Sequence, residues 1–90
     1  SYGWLLIKTL WVAPAQRGTG LGRRLMLCAE DEGRALGCHS AWLDTSNPAA
    51  LGFYLALGYT EFSRLENPPG AAPETHTRWF LRKTLAPRTP

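Results

Sequence analysis

The first apolar run of the chain, Trp4 to Val12 (WLLIKTLWV), is interrupted only by Lys8 and Thr9. A run so rich in branched and aromatic residues predicts a strand covered on both faces. Ala13 to Arg17 makes a short connection, and Gly18, Thr19, Gly20, Leu21 and Gly22 make a glycine-rich turn. Beyond it, Leu21, Leu25, Cys28, Ala29 and Leu36 recur at helical spacing, while Glu30, Asp31, Glu32 and Arg34 supply a wet side. Gly37 stands where a helix often ends on a left-handed residue. Gly33, inside the same helix, costs about 1 kcal/mol relative to alanine.

A second strand is predicted over Ser40 to Thr45 (SAWLDT). Asn47 and Pro48 follow, and Asn as N-cap with Pro as first helical residue predicts a helix running to about Leu57 and ending at Gly58. Tyr59 to Leu65 reads as a third strand. Glu66 to Thr75 reads as a loop containing Pro68, Pro69, Gly70 and Pro73, and His76 to Leu85 as the last strand. The order β-α-β-α-β-β predicts an α/β architecture with a mixed sheet. Its first crossover is expected to be right-handed and to join parallel strands, and its last two strands to form an antiparallel hairpin. One domain is expected over 1–85, with Ala86 to Pro90 as a tail.

Composition narrows the choice of partner. Ninety residues suffice for one modest core, burying roughly 60 to 65% of the unfolded surface. At 44% hydrophobic and 19% charged residues, the chain is globular in type and not disordered. The net charge of +3 suits a phosphate-bearing ligand. The basic residues are scattered apart from Arg17, Arg23 and Arg24, so a nucleic acid is not expected. Cys28 and Cys38 make a poor disulfide framework, which favours a reducing cytoplasm. No apolar run approaches the roughly 20 residues of a membrane span, and the N-terminus lacks the layout of a secretory signal. Cys38-His39 has no further ligand at zinc spacing, and no metal is expected.

A strand leading through glycines into a helix N-terminus converges unpaired N–H groups and the helix dipole on one point, which is an anion site. Glycines at 18, 20 and 22 let a phosphate approach the backbone closely, and a pyrophosphate fits. The dinucleotide fingerprint would need its third glycine at position 23, which is Arg23, and no Lys-Ser/Thr pair follows as a P-loop requires. Arg23 and Arg24 in the first helical turn are disfavoured by about 0.3 to 1 kcal/mol unless an anion is present. Plain solvated arginines account for them equally well.

The pattern R-x-x-G-x-G, here Arg17, Gly20 and Gly22 after Leu10-Trp11-Val12, resembles the acetyl-CoA pyrophosphate loop of the GNAT N-acetyltransferases. The segment Asn47-Pro-Ala-Ala50-Leu-Gly-Phe53-Tyr54-Leu-Ala-Leu-Gly58-Tyr59 resembles the same family's N-x-x-A-x-x-F-Y-x-x-x-G-Y/F signature. The likeness runs from Trp4 to about Leu85 and implies the C-terminal part of the acyl-CoA N-acyltransferase (GNAT) fold. Members of that family begin with a strand, two helices and two more strands, which build much of the acceptor site and are expected to lie outside these residues.

The resemblance implies acetyl-CoA as cosubstrate and direct attack by an amine that the sequence does not identify. It places the backbone of Leu10, Trp11 and Val12 along the pantetheine arm, with one N–H aimed at the thioester oxygen, although their side chains can equally be core. It places Arg17, Gly18, Thr19, Gly20, Leu21, Gly22 and Arg23 at the pyrophosphate. It gives Asn47 a pantetheine contact beside its role as cap, and Tyr54 a contact to the coenzyme together with the task of protonating the departing thiolate. Phe53, Tyr54 and Leu57 can alternatively pack the helix on the sheet. Asp44 can act as base or stabilise its loop. Leu6 and Lys8 stand where family members often carry an acid, so no base is assigned. Trp42 and Trp79 are expected to fill the core and cover the sheet. An exposed first strand raises a second expectation, a non-catalytic acyl-CoA-binding or interaction module completed by a homo-oligomer or a partner chain over that strand.

Overall fold

The computed structural model describes residues 2–8, 18–73 and 76–87. Its elements are β1 (Trp4–Leu6), α1 (Leu21–Ala35), β2 (Ser40–Thr45), α2 (Pro48–Ala56), β3 (Thr60–Glu66) and β4 (Thr77–Thr84). The strands form a four-stranded sheet in the order β1-β2-β4-β3. The element order is the one that the hydrophobic pattern predicts. The chain divides into two compact units, Ser1–Ala41 with Thr84–Pro90, and Trp42–Lys83.

In the first unit, β1 covers only Trp4–Leu6, and Ile7 and Lys8 belong to no strand or helix. The rest of the predicted strand, Thr9 to Val12, lies outside the described residues, as does the connection 13–17. Coverage on both faces is also not what is found, because Leu6 is 40% exposed. Just before β1, the Gly3 carbonyl accepts from the N–H of His39 at 2.8 Å and of Ser40, the first residue of β2, at 3.3 Å. Gly3 has φ +85°, and a Cβ there would collide with the His39 ring, so both conformation and space demand glycine. Trp4 packs edge-on against the same ring, 5.8 Å between centroids.

Helix α1 buries Met26, Glu30 and Gly33, while Leu25, Cys28 and Leu36 are exposed. This corrects two expectations, the apolar stripe through Leu25 and Cys28 and the solvated position of Glu30. Positions 26, 30 and 33 follow the helical repeat as well as the apolar set does. Gly33 decides which stripe turns inward: a Cβ on it would stand 2.7 Å from Leu5 Cδ2, so α1 approaches β1 most closely along that line. The helix ends in a Schellman motif. The Gly37 N–H bonds the Arg34 carbonyl at 3.0 Å, the Cys38 N–H bonds the Gly33 carbonyl at 2.9 Å, and Gly37 carries φ +88°. Past β4, the Leu85 N–H bonds the His39 carbonyl at 2.8 Å, and Arg34 Nε donates to the Ala86 carbonyl at 2.7 Å.

In the second unit, the core residues are Leu43, Tyr54, Tyr59 and Leu81. The Asn47 side chain caps α2 by accepting from the Ala49 N–H at 3.0 Å, with Pro48 in the first turn, as the sequence predicts. The far end repeats the Schellman closure. Gly58, at φ +95°, donates to Leu55 at 3.0 Å, and the Tyr59 N–H bonds the Tyr54 carbonyl at 3.1 Å.

β3 and β4 pair antiparallel from Thr60↔Arg82 to Glu66↔Thr77, with Phe62 as the extra residue of a bulge between Glu61 and Ser63. Every residue of β3 is exposed, and Phe62 packs against Phe80 at 6.3 Å between ring centroids. Arg64 grips Glu61 through two hydrogen bonds of 2.9 and 3.0 Å and reaches Glu66 at 3.4 Å. The bulge and this charge cluster make β3 a poor template for further strand pairing.

The close approach at Gly33 yields a test. Gly33→Ala should change stability by less than about 1 kcal/mol, because helix propensity gained offsets displacement of the Leu5 methyl. Gly33→Leu should destabilise by about 1 to 3 kcal/mol through overpacking. Urea denaturation of both variants measures the difference.

Candidate functional site

The entrance to α1 is built from Gly18 at φ +81° and Gly20 at φ +83°. Among the described residues a Cβ on either would meet nothing within 4 Å, so glycine is required there by backbone conformation. Gly20 serves as N-cap with no side-chain hydrogen bond, and the Arg24 N–H makes a helical bond to the Gly20 carbonyl at 3.0 Å. The N–H groups of Leu21, Gly22 and Arg23 therefore precede the helical ladder and lack helical acceptors. Leu21 and Gly22 already belong to α1, which corrects the expected turn through Gly22. Thr19, Arg23 and Arg24 are exposed, and the first turn holds no acidic residue. Amides without helical acceptors, a helix dipole and two arginines together favour an anion. Leu10, Trp11, Val12 and Arg17 lie outside the described residues.

The second group of predicted residues belongs to α2. Asn47 is exposed, with its side-chain oxygen engaged as the cap. Tyr54 is 8% exposed, and its ring lies 5.4 Å from that of Phe53 and 6.1 Å, edge-on, from that of Tyr59. The Tyr54–Tyr59 contact is the apolar clasp that accompanies a Schellman closure. Burial desolvates the phenolate and pushes the Tyr54 pKa above the ordinary tyrosine value. Among the described residues no hydrogen bond engages its hydroxyl.

Sequence reasoning missed two pairs beside β2. Ser46, just past its end, has Oγ 3.3 Å from His76 Nε2, and Asp44 forms an ion pair with Arg78 at 3.3 Å. Each pair joins residues about thirty positions apart, and no local motif signals such a contact. Trp42 and Trp79 are half-buried. Among the described residues no three His, Cys, Asp or Glu side chains gather as a metal site, and no helix is long and apolar enough to cross a membrane.

These features sit on an α/β fold that the chain shares with solved acetyltransferases. An acetyltransferase from Bacillus cereus superposes with a TM-score of 0.81 at 31% identity, over 93% of this chain and 57% of that one. The family model of the acetyltransferase (GNAT) family matches residues 1–59, and the chain belongs to that family. Acetyltransferase Atu2258 of Agrobacterium fabrum is 43% identical over 63 residues, covering 70% of this chain and 46% of that protein. The blasticidin-S acetyltransferase of Streptomyces morookaense is 39% identical over 69 residues, covering 74% of this chain and 51% of that protein. The chain thus spans about half the length of these relatives.

Two substitutions probe α2. Asn47→Ala should destabilise by about 1 kcal/mol through loss of the cap, read by chemical denaturation. Tyr54 gives a pH signature of defined sign. Its raised folded-state pKa means that the folded chain keeps a proton that the unfolded chain releases above about pH 10. Stability attributable to it is intact below that pH and falls as pH rises further. The stability of wild type relative to Tyr54→Phe should therefore be flat from neutral pH to about 10 and then decline, in paired unfolding curves.

Proposed function

We propose that this chain forms the acetyl-CoA-binding part of an N-acetyltransferase that moves an acetyl group to an amine by direct attack on the thioester, without a covalent enzyme intermediate. The observation that carries this reading is the uncapped first turn of α1, with its left-handed glycines and flanking arginines, in a chain of the GNAT family. In this reading the amides from Gly18 to Gly22 hold the diphosphate, with Arg17, Thr19 and Arg23 around it. The backbone of Leu10, Trp11 and Val12 aligns the pantetheine arm and aims an N–H at the thioester oxygen. Asn47 adds a pantetheine contact beside its cap, and Tyr54 supplies a proton to the departing coenzyme A thiolate. The reading places the protein in the cytoplasm, where the exposed thiol of Cys28 stays reduced. It also includes a second copy or a partner chain along β1, the outer strand of the sheet at that side.

The test has two stages. Calorimetric titration of the folded chain with acetyl-CoA should give saturable binding, weakened at least about tenfold by Gly20→Val, because a branched residue cannot adopt the left-handed cap. Absence of binding by a folded wild type would overturn the reading. Thiol release should then be followed with a panel of amines that includes blasticidin S, the compound in the name of one relative. Amine-dependent release, reduced about 10- to 100-fold in Tyr54→Phe with acetyl-CoA affinity unchanged, is the expected result. Binding without release from any amine would reduce the chain to a binding module.

A further inference from the structure

Direct transfer needs a group that takes a proton from the attacking amine, and the first strand offers none. The unit formed by Trp42–Lys83, which carries Tyr54, holds three described carboxylates. Asp44 is in ion contact with Arg78, and Glu61 and Glu66 both contact Arg64. Each of these carboxylates is therefore already engaged by a guanidinium. His76 is the described imidazole of that unit, and imidazole is a common general base in catalysis.

His76 is also held in place. Its N–H bonds the Pro73 carbonyl at 3.1 Å, and its carbonyl accepts from the Asn67 N–H at 3.3 Å. The Asn67 side chain bonds the Pro73 carbonyl at 2.9 Å, closing the base of the loop before β4. One ring nitrogen, Nε2, meets Ser46 Oγ at 3.3 Å. Where Ser46 accepts from Nε2–H, the lone pair of Nδ1 is left to take a proton. Loose hydrogen bonds of this length commonly tighten when substrate is bound. Ser46 follows the carboxyl end of β2, and in α/β sheets ligands gather at the carboxyl ends of strands. His76 itself is exposed and open to a ligand from solution.

We propose that His76, oriented by Ser46, is the general base for the acceptor amine, an inference that rests on the acetyltransferase reading above. The amine nitrogen forms its bond to the acetyl carbonyl carbon and gives a proton to the His76 ring. The C–S bond breaks, its electron pair leaves on sulfur, and the thiolate is protonated through Tyr54. Solvent restores both side chains, so the sum is amine plus acetyl-CoA giving amide plus coenzyme A. Ser46 acts through His76 and is a positioning residue.

The experiment compares wild type, His76→Ala and Ser46→Ala in acetyl-CoA titration and in thiol release with a primary-amine panel. His76→Ala should keep its acetyl-CoA affinity within about twofold, lose about 100-fold in amine-dependent rate, and recover part of that rate when free imidazole is added. Ser46→Ala should lower kcat by about tenfold with the KM for acetyl-CoA unchanged. A His76→Ala rate within twofold of wild type, or a loss that imidazole does not relieve, overturns the assignment while leaving the acetyltransferase reading intact. A wild type that binds acetyl-CoA and transfers to no amine overturns it too. A wild type that binds no acetyl-CoA fails at the earlier step, in the functional reading itself.

Discussion

The rest of the molecule depends on a constraint at helix ends, where backbone groups lose their partners and something must take them up. Both helices close the same way, with a glycine in the left-handed conformation at Gly37 and at Gly58 returning N–H groups to the last carbonyls. They open differently. α2 is sealed by the Asn47 side chain and Pro48, whereas the N-cap of α1 is Gly20, a residue without a side chain to accept. N–H groups without helical acceptors at such a start can be taken up by solvent, by another part of the chain or by an anion. The difference between the two N-termini is what motivates the phosphate-binding role proposed for the start of α1.

The same chemistry explains how much of the fold could be read from the chain. Element order, the Asn47-Pro48 start and the glycine stops were legible because they rest on contacts within a few residues. The burial of α1 was not. Its leucines suggest a stripe through Leu25 and Cys28, yet the helix turns Met26, Glu30 and Gly33 inward. Residue type alone could not anticipate this, because a glycine of low helix propensity is a place where Leu5 of β1 approaches too closely for a Cβ. That contact joins residues 28 positions apart in the chain, Leu5 and Gly33, and periodicity has no access to it. The length of β3 was legible, but its bulge at Phe62 depends on register with β4 and was not.

Legibility of the candidate site follows the same division. The glycines and Asn47 stood out because each makes its local geometry by itself. Tyr54 stood out only through likeness to a family, and its packing against Tyr59 explains why an aromatic pair recurs at that spacing: one is the last inward residue of a helix, the other the first residue after its left-handed stop. The Ser46–His76 pair was invisible, because an exposed histidine before a strand and a serine before a cap carry no meaning until the sheet brings them to 3.3 Å.

Tyr54 joins these threads, since one ring clasps the end of α2 and is assigned the leaving group. Such a ring is held firmly, which favours any chemistry that depends on aim. Burial has a second effect, for it moves the phenol above its ordinary value while a free thiol lies near 8.5. Complete transfer of the proton to a thiolate, uphill even for an ordinary phenol, is made more so by this burial. A hydrogen bond to the developing charge on sulfur carries no such cost, and it strengthens as the C–S bond lengthens. In the proposed reaction Tyr54 thus acts first as a fixed donor to the leaving sulfur. Transfer is completed as solvent reaches the departing coenzyme A, and the elevated pKa keeps the phenol protonated across the whole physiological range.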